Sequence, residues 1–322
     1  MLKIGLISNP KSQRNRRGLG ELRAASAGFP DLVHLEIDGE QSLLTMLTEM
    51  ARREIRLLVV NGGDGTVQQV LTVLLEARPF ERLPALAVLA RGMANMTAGD
   101  VGLRGRPLPL LERLIGAARA GEIERSIESR RILRVENIPA RSPQRCMFFG
   151  AAAIYDAIEF CCGRVYTLGL KGNLGMGLTL GGLLLRGLFG GSSGAFRGHD
   201  IAVTLDDAPA IRAQRLLVLA TTLERLILGS RPFWAENSGS IRFTSIAHPP
   251  VHLIRSAPKV LYGWRRATLP REAYVSRSAE RIALRLDSPF TLDGELFEPD
   301  PEQPLVLTAR DSIGFVRLGA GA

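Results

Sequence analysis

The sequence is poor in cysteine, with only Cys146, Cys161 and Cys162 in 322 residues. An odd number that includes one adjacent pair makes a poor disulfide framework, and it lacks the ligand spacing of a zinc site. We therefore expect a protein of a reducing compartment.

Long hydrophobic runs are also missing. The Gly- and Leu-rich segment 168–194 has its longest uncharged stretch at residues 172–185, which ends at Arg186 and is too short to span a bilayer. The segment predicts either a core helix with a flexible loop or a surface that contacts lipid. The first seven residues have a strand pattern and lack the features of a signal peptide. We expect a cytoplasmic protein that meets membranes only at their surface.

Aromatic residues are scarce at 6%, and the 41 Lys and Arg residues outnumber the 32 Asp and Glu residues. A nucleic-acid reader would usually combine a basic stripe with aromatic side chains, whereas these arginines are spread along the chain. The net charge of +9 instead favours an anionic membrane surface or a phosphorylated ligand. We expect no nucleic-acid partner.

The length favours two domains, and 46% hydrophobic residues indicate a globular chain. In residues 1–122, short apolar runs alternate with helical periodicity, which predicts a doubly wound, Rossmann-like α/β domain. The predicted strands are residues 3–8, 33–37, 56–60 and 86–89. A helix is predicted over 66–75, with Thr66 and Gln69 as its capping box.

Residues 123–304 predict a second, β-rich domain of antiparallel strands, arranged as a sandwich or barrel. We expect the tail, about residues 305–322, to pack back onto the first domain. The predicted strands are residues 132–135, 201–205, 216–220, 241–244, 251–254 and 282–286.

The most specific motif, Asn-Gly-Gly-Asp-Gly-Thr, lies between a predicted strand and a predicted helix. Glycine lets backbone N–H groups approach an anion closely, and a helix N-terminus adds a partial positive charge. The motif predicts a phosphate site or an ordinary turn, and its spacing does not decide between them. Its residues are Asn61, Gly62, Gly63, Asp64, Gly65 and Thr66.

This loop resembles the nucleotide loop shared by diacylglycerol kinases, sphingosine kinases, NAD kinases and phosphofructokinases. Residues 9–12, Asn-Pro-Lys-Ser, resemble the turn that opens the diacylglycerol kinase catalytic domain. Residues 89–98 resemble its Pro-x-Gly-Thr-x-Asn segment. The resemblance therefore implies that Asn9, Gly92 and Asn95 also bind nucleotide. The sequence departs from that segment at Ala90, Met93 and Met96.

Residues 291–297 contain Asp-Gly-Glu between apolar flanks, which by itself predicts a hairpin turn. The segment resembles one in the same family, and the resemblance implies that Asp293 is the general base for a lipid hydroxyl. It implies that Glu295 lies near nucleotide and metal, and that Asp156 orients the base. Ser238 stands where many members of the family have Asp.

The resemblance implies a kinase that uses ATP and Mg²⁺ to phosphorylate diacylglycerol or a related lipid alcohol, in contact with an anionic membrane. An NAD kinase is the alternative enzyme, because it shares the first loop. A nucleotide- or lipid-binding protein without catalysis is the alternative of another class, suggested by Met93, Met96 and Ser238. Whether the chain forms a homodimer is left open.

Overall fold

The computed structural model describes residues 2–318 except for 38, 40, 41, 93, 104, 161–196 and 236–238. The Gly- and Leu-rich segment 168–194 lies outside the described residues, as do Cys161 and Cys162. Among the helices that are described, none is long and apolar enough to cross a membrane.

The chain divides into two units, which we call unit 1 (Met1–Arg130 with Asp311–Ala322) and unit 2 (Arg131–Arg310). From the sequence, we predicted the limits after residues 122 and 304. Strand pairing explains the difference, because strand Ile127–Arg131 belongs to the first sheet and strand Leu305–Thr308 to the second.

Unit 1 is built on one sheet with helices between its strands. Its strands are β1 (Ile4–Ser8), β2 (Leu32–Glu36), β3 (Leu57–Gly62), β4 (Ala85–Ala90), β5 (Ile127–Arg131) and β17 (Ser312–Val316). Its helices are α1 (Asn15–Ala27), α2 (Leu43–Arg52), α3 (Asp64–Thr72), α4 (Met96–Asp100) and α5 (Pro107–Arg119), with a π-helical turn at Val73–Ala77 and a 3-10 turn at Glu124–Ser126. The strand order is β2-β1-β3-β4-β17-β5.

Helices cover both faces of this sheet, whose strands β1 to β4 pair in parallel. On one face, Leu6 of β1 packs in a core with Leu22 of α1 and Leu114 of α5. On the other face, a Cβ atom on Gly5 would lie 2.8 Å from the sulfur of Met50 in α2. Successive residues of a strand face opposite sides, so the two contacts lie on different faces. The predicted doubly wound α/β fold is confirmed.

The predicted capping box of α3 is wrong. The helix begins at Asp64, its N-cap is Gly63, and no side chain in the described part of the chain caps it. Thr66 lies inside the first turn, where its Oγ1 accepts a hydrogen bond from Nδ2 of Asn9 at 2.9 Å. The hydroxyl therefore joins α3 to the end of β1.

Unit 2 is mainly antiparallel. Its strands are β6 (Leu133–Glu136), β7 (Gln144–Cys146), β8 (Phe148–Ala152), β9 (His199–Leu205), β10 (Ile211–Thr221), β11 (Ile241–Ala247), β12 (Tyr274–Ala279), β13 (Arg281–Leu286), β14 (Phe290–Leu292), β15 (Glu295–Phe297) and β16 (Leu305–Thr308). Its described helices are α6 (Ala153–Phe160) and α7 (Leu253–Tyr262), with 3-10 turns at Ile227–Gly229 and Arg266–Thr268.

These strands form one sheet of 11 strands. Strand β10 pairs with β9 through its first half and with β8 and β11 through its second half. Buried side chains from strands along the whole sheet meet in one large cluster, so the sheet curls around this main core. The predicted β-rich, antiparallel class is confirmed, and its strands belong to one curled sheet.

The predicted strand 251–254 is wrong, because these residues lead into α7. Pro249 and Pro250, just before it, have no N–H to donate to a sheet. Ser256 and Val260 are both buried and lie one helical turn apart, which gives α7 its inward face. The apolar residues of this segment therefore follow a helical pattern.

A stack of three phenylalanines supports the hairpin formed by β14 and β15. Phe290 is fully buried between Phe149 and Phe297, with ring centroids 5.4 and 5.6 Å away. We predict that Phe290→Ala lowers the free energy of unfolding by about 3–5 kcal/mol in urea titrations. The control Leu296→Ala, on the same hairpin but 42% exposed, should change it by less than about 0.5 kcal/mol. Equal effects would contradict the proposed packing.

Candidate functional site

The β3–α3 loop and the β4–α4 loop touch through their backbones at the carboxyl end of the parallel sheet. A Cβ atom on Gly63 would lie 3.0 Å from the Cα of Gly92, and one on Gly92 would lie 2.6 Å from the Cα of Gly63. The N–H of Arg91 donates to the carbonyl of Gly62 at 3.0 Å. No side chain fits between the loops, so both positions require glycine.

Asn95 holds the second loop in shape. Its backbone is left-handed, with φ +49°. Its Oδ1 accepts the N–H of Gly92 at 2.7 Å, and its Nδ2 donates to the carbonyl of Gly92 at 2.8 Å. Asparagine tolerates this conformation better than most residues because its short side chain can bond the local backbone.

Asp64 ties α3 to α4. Its buried carboxylate accepts the N–H of Thr97 at Oδ1 and the N–H of Met96 at Oδ2, both at 3.0 Å. Burial raises the pKa of this carboxyl, while the hydrogen bonds from Thr97 and Met96 act in the opposite direction. The side chain is thus a link between the two loops.

Asn15 joins the ends of three strands, although the sequence analysis did not single it out. Its Nδ2 donates to the carbonyls of Asn9 and Asn61, both at 2.9 Å, and its Oδ1 accepts from Nε of Arg91 at 2.8 Å. Burial lowers the pKa of the Arg91 guanidinium, and the charge of Arg14 adds to this effect. An asparagine at the start of a helix was the available signal, but a local cap explains such a residue equally well.

The N-terminus of α3 fits a phosphate group. Its N-cap Gly63 has no side chain, and the N–H of Gly63 donates to Oγ of Ser12 at 3.3 Å. The first N–H groups of a helix, here those of Asp64 and Gly65, have no acceptor within the helix. They carry a partial positive charge that attracts anions. The backbone N–H of Arg14 donates to the carbonyl of Arg91 at 3.2 Å, so a second arginine borders the β4–α4 loop.

The structure brings all the predicted nucleotide-binding residues together at this edge of unit 1. They are Asn9, Asn61, Gly62, Gly63, Asp64, Gly65, Thr66, Gly92 and Asn95. Their contacts with a nucleotide stay a prediction. Met93 lies outside the described residues, and Met96 is buried beside Asp64.

In unit 2, Asp293 lies in the two-residue turn between β14 and β15. Asp293 and Gly294 both have positive φ, +48° and +93°. The Asp293 side chain is only 3% exposed. Its Oδ1 accepts the N–H of Phe148 at 2.9 Å and its Oδ2 accepts the N–H of Met147 at 3.0 Å. The aspartate therefore forms a hairpin turn and also presents a fixed carboxylate.

Glu295 begins β15 with its side chain exposed. Cys146 is buried, and burial together with the charge of Asp293 raises the pKa of its thiol well above the ordinary value. We therefore expect an unreactive thiol. Within the described ranges, no group of three or more His, Cys, Asp or Glu residues could hold a metal ion.

Asp156, on α6, faces a histidine that the sequence analysis missed. Its Oδ2 lies 3.7 Å from Nε2 of His199, and Nδ1 of His199 lies 3.8 Å from Oδ1 of Asp287. Among the residues that the structure describes, Asp156 Oδ2 and His199 Nε2 are both buried and have no hydrogen-bond partner, so they are suited to bind a water or a ligand. This cluster is only weakly indicated by the sequence, because its members are far apart along the chain. Ser238 lies outside the described residues.

The decisive comparison covers the whole loop region of unit 1. Residues 3–123 match the diacylglycerol kinase catalytic domain. The predicted family resemblance is confirmed, and the match includes all the nucleotide-binding candidates.

A YegS-like lipid kinase of Enterobacter sp. (strain 638) is 30% identical over 102 residues, which are 30% of this chain and 32% of that protein. The match thus spans about a third of this curated relative. A solved structure named as a diacylglycerol kinase from Bacillus anthracis str. Sterne has a TM-score of 0.58 at 16% identity, covering 98% of this chain and 96% of that one. A yeast NADH kinase structure has a TM-score of 0.53 at 10% identity, covering 99% and 84%. These two likenesses concern the fold.

The raised pKa of Asp64 predicts a pH dependence of stability. Between the ordinary value of 3.8 and the raised value, the folded state keeps a proton that the unfolded state has released. The stability from this group is therefore present below pH 3.8 and is lost as the pH rises through the raised pKa. We predict that the unfolding free energy of the wild type, minus that of Asp64→Asn, is larger at about pH 4 than at about pH 7.

Urea titrations at both pH values give this difference, and other titrating groups cancel in the subtraction. A difference that stays constant, or that grows towards pH 7, would contradict the assignment.

Proposed function

We propose that this protein is a kinase that binds ATP through unit 1 and transfers its γ-phosphate to the hydroxyl of a lipid alcohol, with diacylglycerol as the first candidate. The observation that carries the proposal is the pair of touching glycine loops beside the uncapped N-terminus of α3. This arrangement lies within the range that matches the diacylglycerol kinase catalytic domain. The YegS-like lipid kinase supports a lipid as acceptor.

In this proposal, the N–H groups that open α3 bind phosphate oxygens. The Gly63–Gly92 contact keeps both loop backbones free of side chains. Thr66 and Asn9 are hydrogen-bonded to each other. This bond orients their own polar groups at the same edge of the sheet. Phosphoryl transfer needs positioning and charge stabilisation more than covalent chemistry, which suits a site built from backbone donors.

Asp293 is proposed as the general base. Each carboxylate oxygen accepts a backbone N–H and can accept a further hydrogen bond. As the acceptor hydroxyl oxygen forms a bond to the γ-phosphorus, the bond to the ADP oxygen breaks and the hydroxyl proton passes to Asp293. The two N–H donors fix the orientation of the carboxylate throughout.

Mg²⁺ is the implied cofactor, and Glu295 is its proposed ligand in unit 2 because that carboxylate is exposed. Mg²⁺ commonly uses one or two carboxylates together with substrate phosphates, so the residues present fit it. When bound, the ion would neutralise charge on the phosphate oxygens. Asp156 is proposed to position the acceptor side of the reaction, with His199 beside it. Contact with an anionic membrane would give access to the lipid.

The first functional prediction concerns ATP affinity. A methyl group at Gly92 would meet the backbone of Gly63 and separate the loops, so Gly92→Ala should weaken ATP binding at least about tenfold in calorimetry. The matched control is Gly99→Ala on α4, where a Cβ atom meets no atom of the described residues within 4 Å, and the ATP affinity of this variant should be unchanged. A folded Gly92→Ala variant that binds ATP normally would overturn the phosphate site.

The second functional prediction concerns catalysis. We predict that Asp293→Asn lowers kcat by about two to four orders of magnitude while ATP affinity stays within about twofold. The amide of this variant turns its NH₂ group towards one of the two backbone N–H groups. We expect this to lower the free energy of unfolding by about 1–3 kcal/mol. Turnover must therefore be measured well below the variant's Tm.

Glu295→Gln is the matched comparison, and it should weaken Mg²⁺-dependent ATP binding instead. Near-normal turnover in folded Asp293→Asn would leave Asp293 as a turn residue and direct the search for the base to Asp156. Labelled ATP with diacylglycerol, sphingosine, other lipid alcohols and NAD tests the acceptor. Label on NAD would favour an NAD kinase, and ATP binding with no labelled product would favour a binding protein.

A further inference from the structure

An unusual surface of unit 2 surrounds helix α7. Several of its large apolar side chains are exposed within a short stretch: Ile254 by 50%, Tyr262 by 59% and Trp264 by 62%. Together with Val251, they are four of the ten large hydrophobic residues recorded as exposed in the described chain. We call Val251, Ile254, Arg255, Tyr262, Trp264 and Arg265 the α7 surface. Such a concentration marks an interaction site more often than chance exposure does.

The helical geometry separates this surface from the core. Successive residues of a helix are about 100° apart, so Ile254, Arg255 and Tyr262 fall within one arc of about 100°. Ser256 and Val260 lie on the opposite side, where both are buried. Val260 packs against the sheet of unit 2. The helix is therefore already anchored by one face, and its outer apolar side chains are not needed for that packing.

The charged residues of the same segment are all basic. Residues 251–271 contain five Lys and Arg residues and no Asp or Glu, which is +5 of the chain's net +9. Arg255, Arg265 and Arg271 have no ion pair with any residue that the structure describes. The guanidinium of Arg265 lies 5.6 Å from the ring centre of Trp264. One of these charges, that of Arg265, therefore lies beside an exposed aromatic side chain.

Two other basic residues of the segment stabilise it internally. Lys259 donates to Oγ1 of Thr268 at 2.7 Å, and Nε of Arg266 donates to the carbonyl of Lys259 at 3.1 Å. Arg266 also donates to the carbonyl of Arg231. These contacts hold the turn after α7 against unit 2, so Trp264 projects from a fixed backbone.

We propose that the α7 surface docks onto the headgroup region of an anionic phospholipid membrane. Tyr and Trp suit the boundary between water and lipid because each combines an apolar ring with a polar group. Arginine beside them attracts lipid phosphates, and the apolar side chains enter the boundary region. The proposal names a surface for the membrane contact within the proposed function, yet binding can occur without ATP, so the two can fail separately.

Charge favours a membrane over a protein partner. Protein interfaces also use Trp, Tyr and Arg, but they usually pair charges of both signs across the contact. The segment that carries this surface, residues 251–271, has five basic residues and no acid, which best complements a uniformly negative plane. A second copy of this chain would bring like charges together if it used the same surface.

Co-sedimentation with vesicles of phosphatidylcholine and about one-third phosphatidylglycerol tests the proposal. Arg255→Glu with Arg265→Glu, and separately Tyr262→Ala with Trp264→Ala, should each weaken binding at least about tenfold. Wild-type binding should also fall in pure phosphatidylcholine and in about 0.5 M salt. The controls are Ile211→Ala, an equally exposed apolar residue elsewhere in unit 2, and Arg82→Glu, an exposed arginine of unit 1.

Fluorescence tests whether Trp264 itself enters the lipid boundary. The chain has two tryptophans, and Trp234 is partly buried. Vesicles should shift wild-type emission to shorter wavelength, and this shift should disappear in Trp264→Phe, which keeps an apolar ring and so keeps most of the binding.

The proposal is overturned if both double variants bind vesicles like the wild type, or if the emission shift persists in Trp264→Phe. It is also overturned if the variants change only the oligomeric state in light scattering, since that result would assign the surface to a second copy. Each variant is first checked for an unchanged Tm. Normal vesicle binding by a protein without kinase turnover would support the surface and count against the proposed reaction alone.

Discussion

The site of unit 1 depends on a contact between two backbones. Gly63 and Gly92 follow neighbouring parallel strands, and their chains approach so closely that a Cβ atom on either would overlap the other. Parallel strands bring their carboxyl ends to one edge, but strand pairing alone does not make the following loops touch. Asp64 and Asn95 complete the arrangement by bonding backbone groups of the second loop. The loop shape is therefore fixed before any ligand binds.

Unit 2 has the same kind of contact between an aspartate and a distant backbone segment, in a different fold. Asp64 and Asp293 each precede a glycine, are buried, and accept two consecutive backbone N–H groups from a distant segment. In both cases a carboxylate replaces a missing backbone acceptor where a strand or helix begins. A carboxylate held in this way has a defined position, which a reactive group requires. Because the same side chain supports structure, we expect its removal to lower stability, whatever its part in the proposed reaction.

The sequence predicted most of the fold because the strands of unit 1 are short apolar runs bounded by turn residues. The glycine loop could be located for the same reason, since it stands between a strand and a helix. The start of α3 was misplaced because Thr66 has the residue type of a cap, while its hydroxyl bonds Asn9 instead. The segment 251–254 was predicted as a strand because a four-residue window cannot separate a strand from the first turn of a helix. His199 and Asn15 were missed because only the folded chain brings their partners near them.

Strand β17 has a consequence for the order in which the protein can assemble. It lies between β4 and β5 in the first sheet, although all of unit 2 separates it from them along the chain. During synthesis from the N-terminus, the first sheet therefore keeps a gap while residues 131–310 emerge and fold. Unit 2 is continuous in sequence and can close without waiting. The two glycine loops belong to the unit that is begun first and completed last.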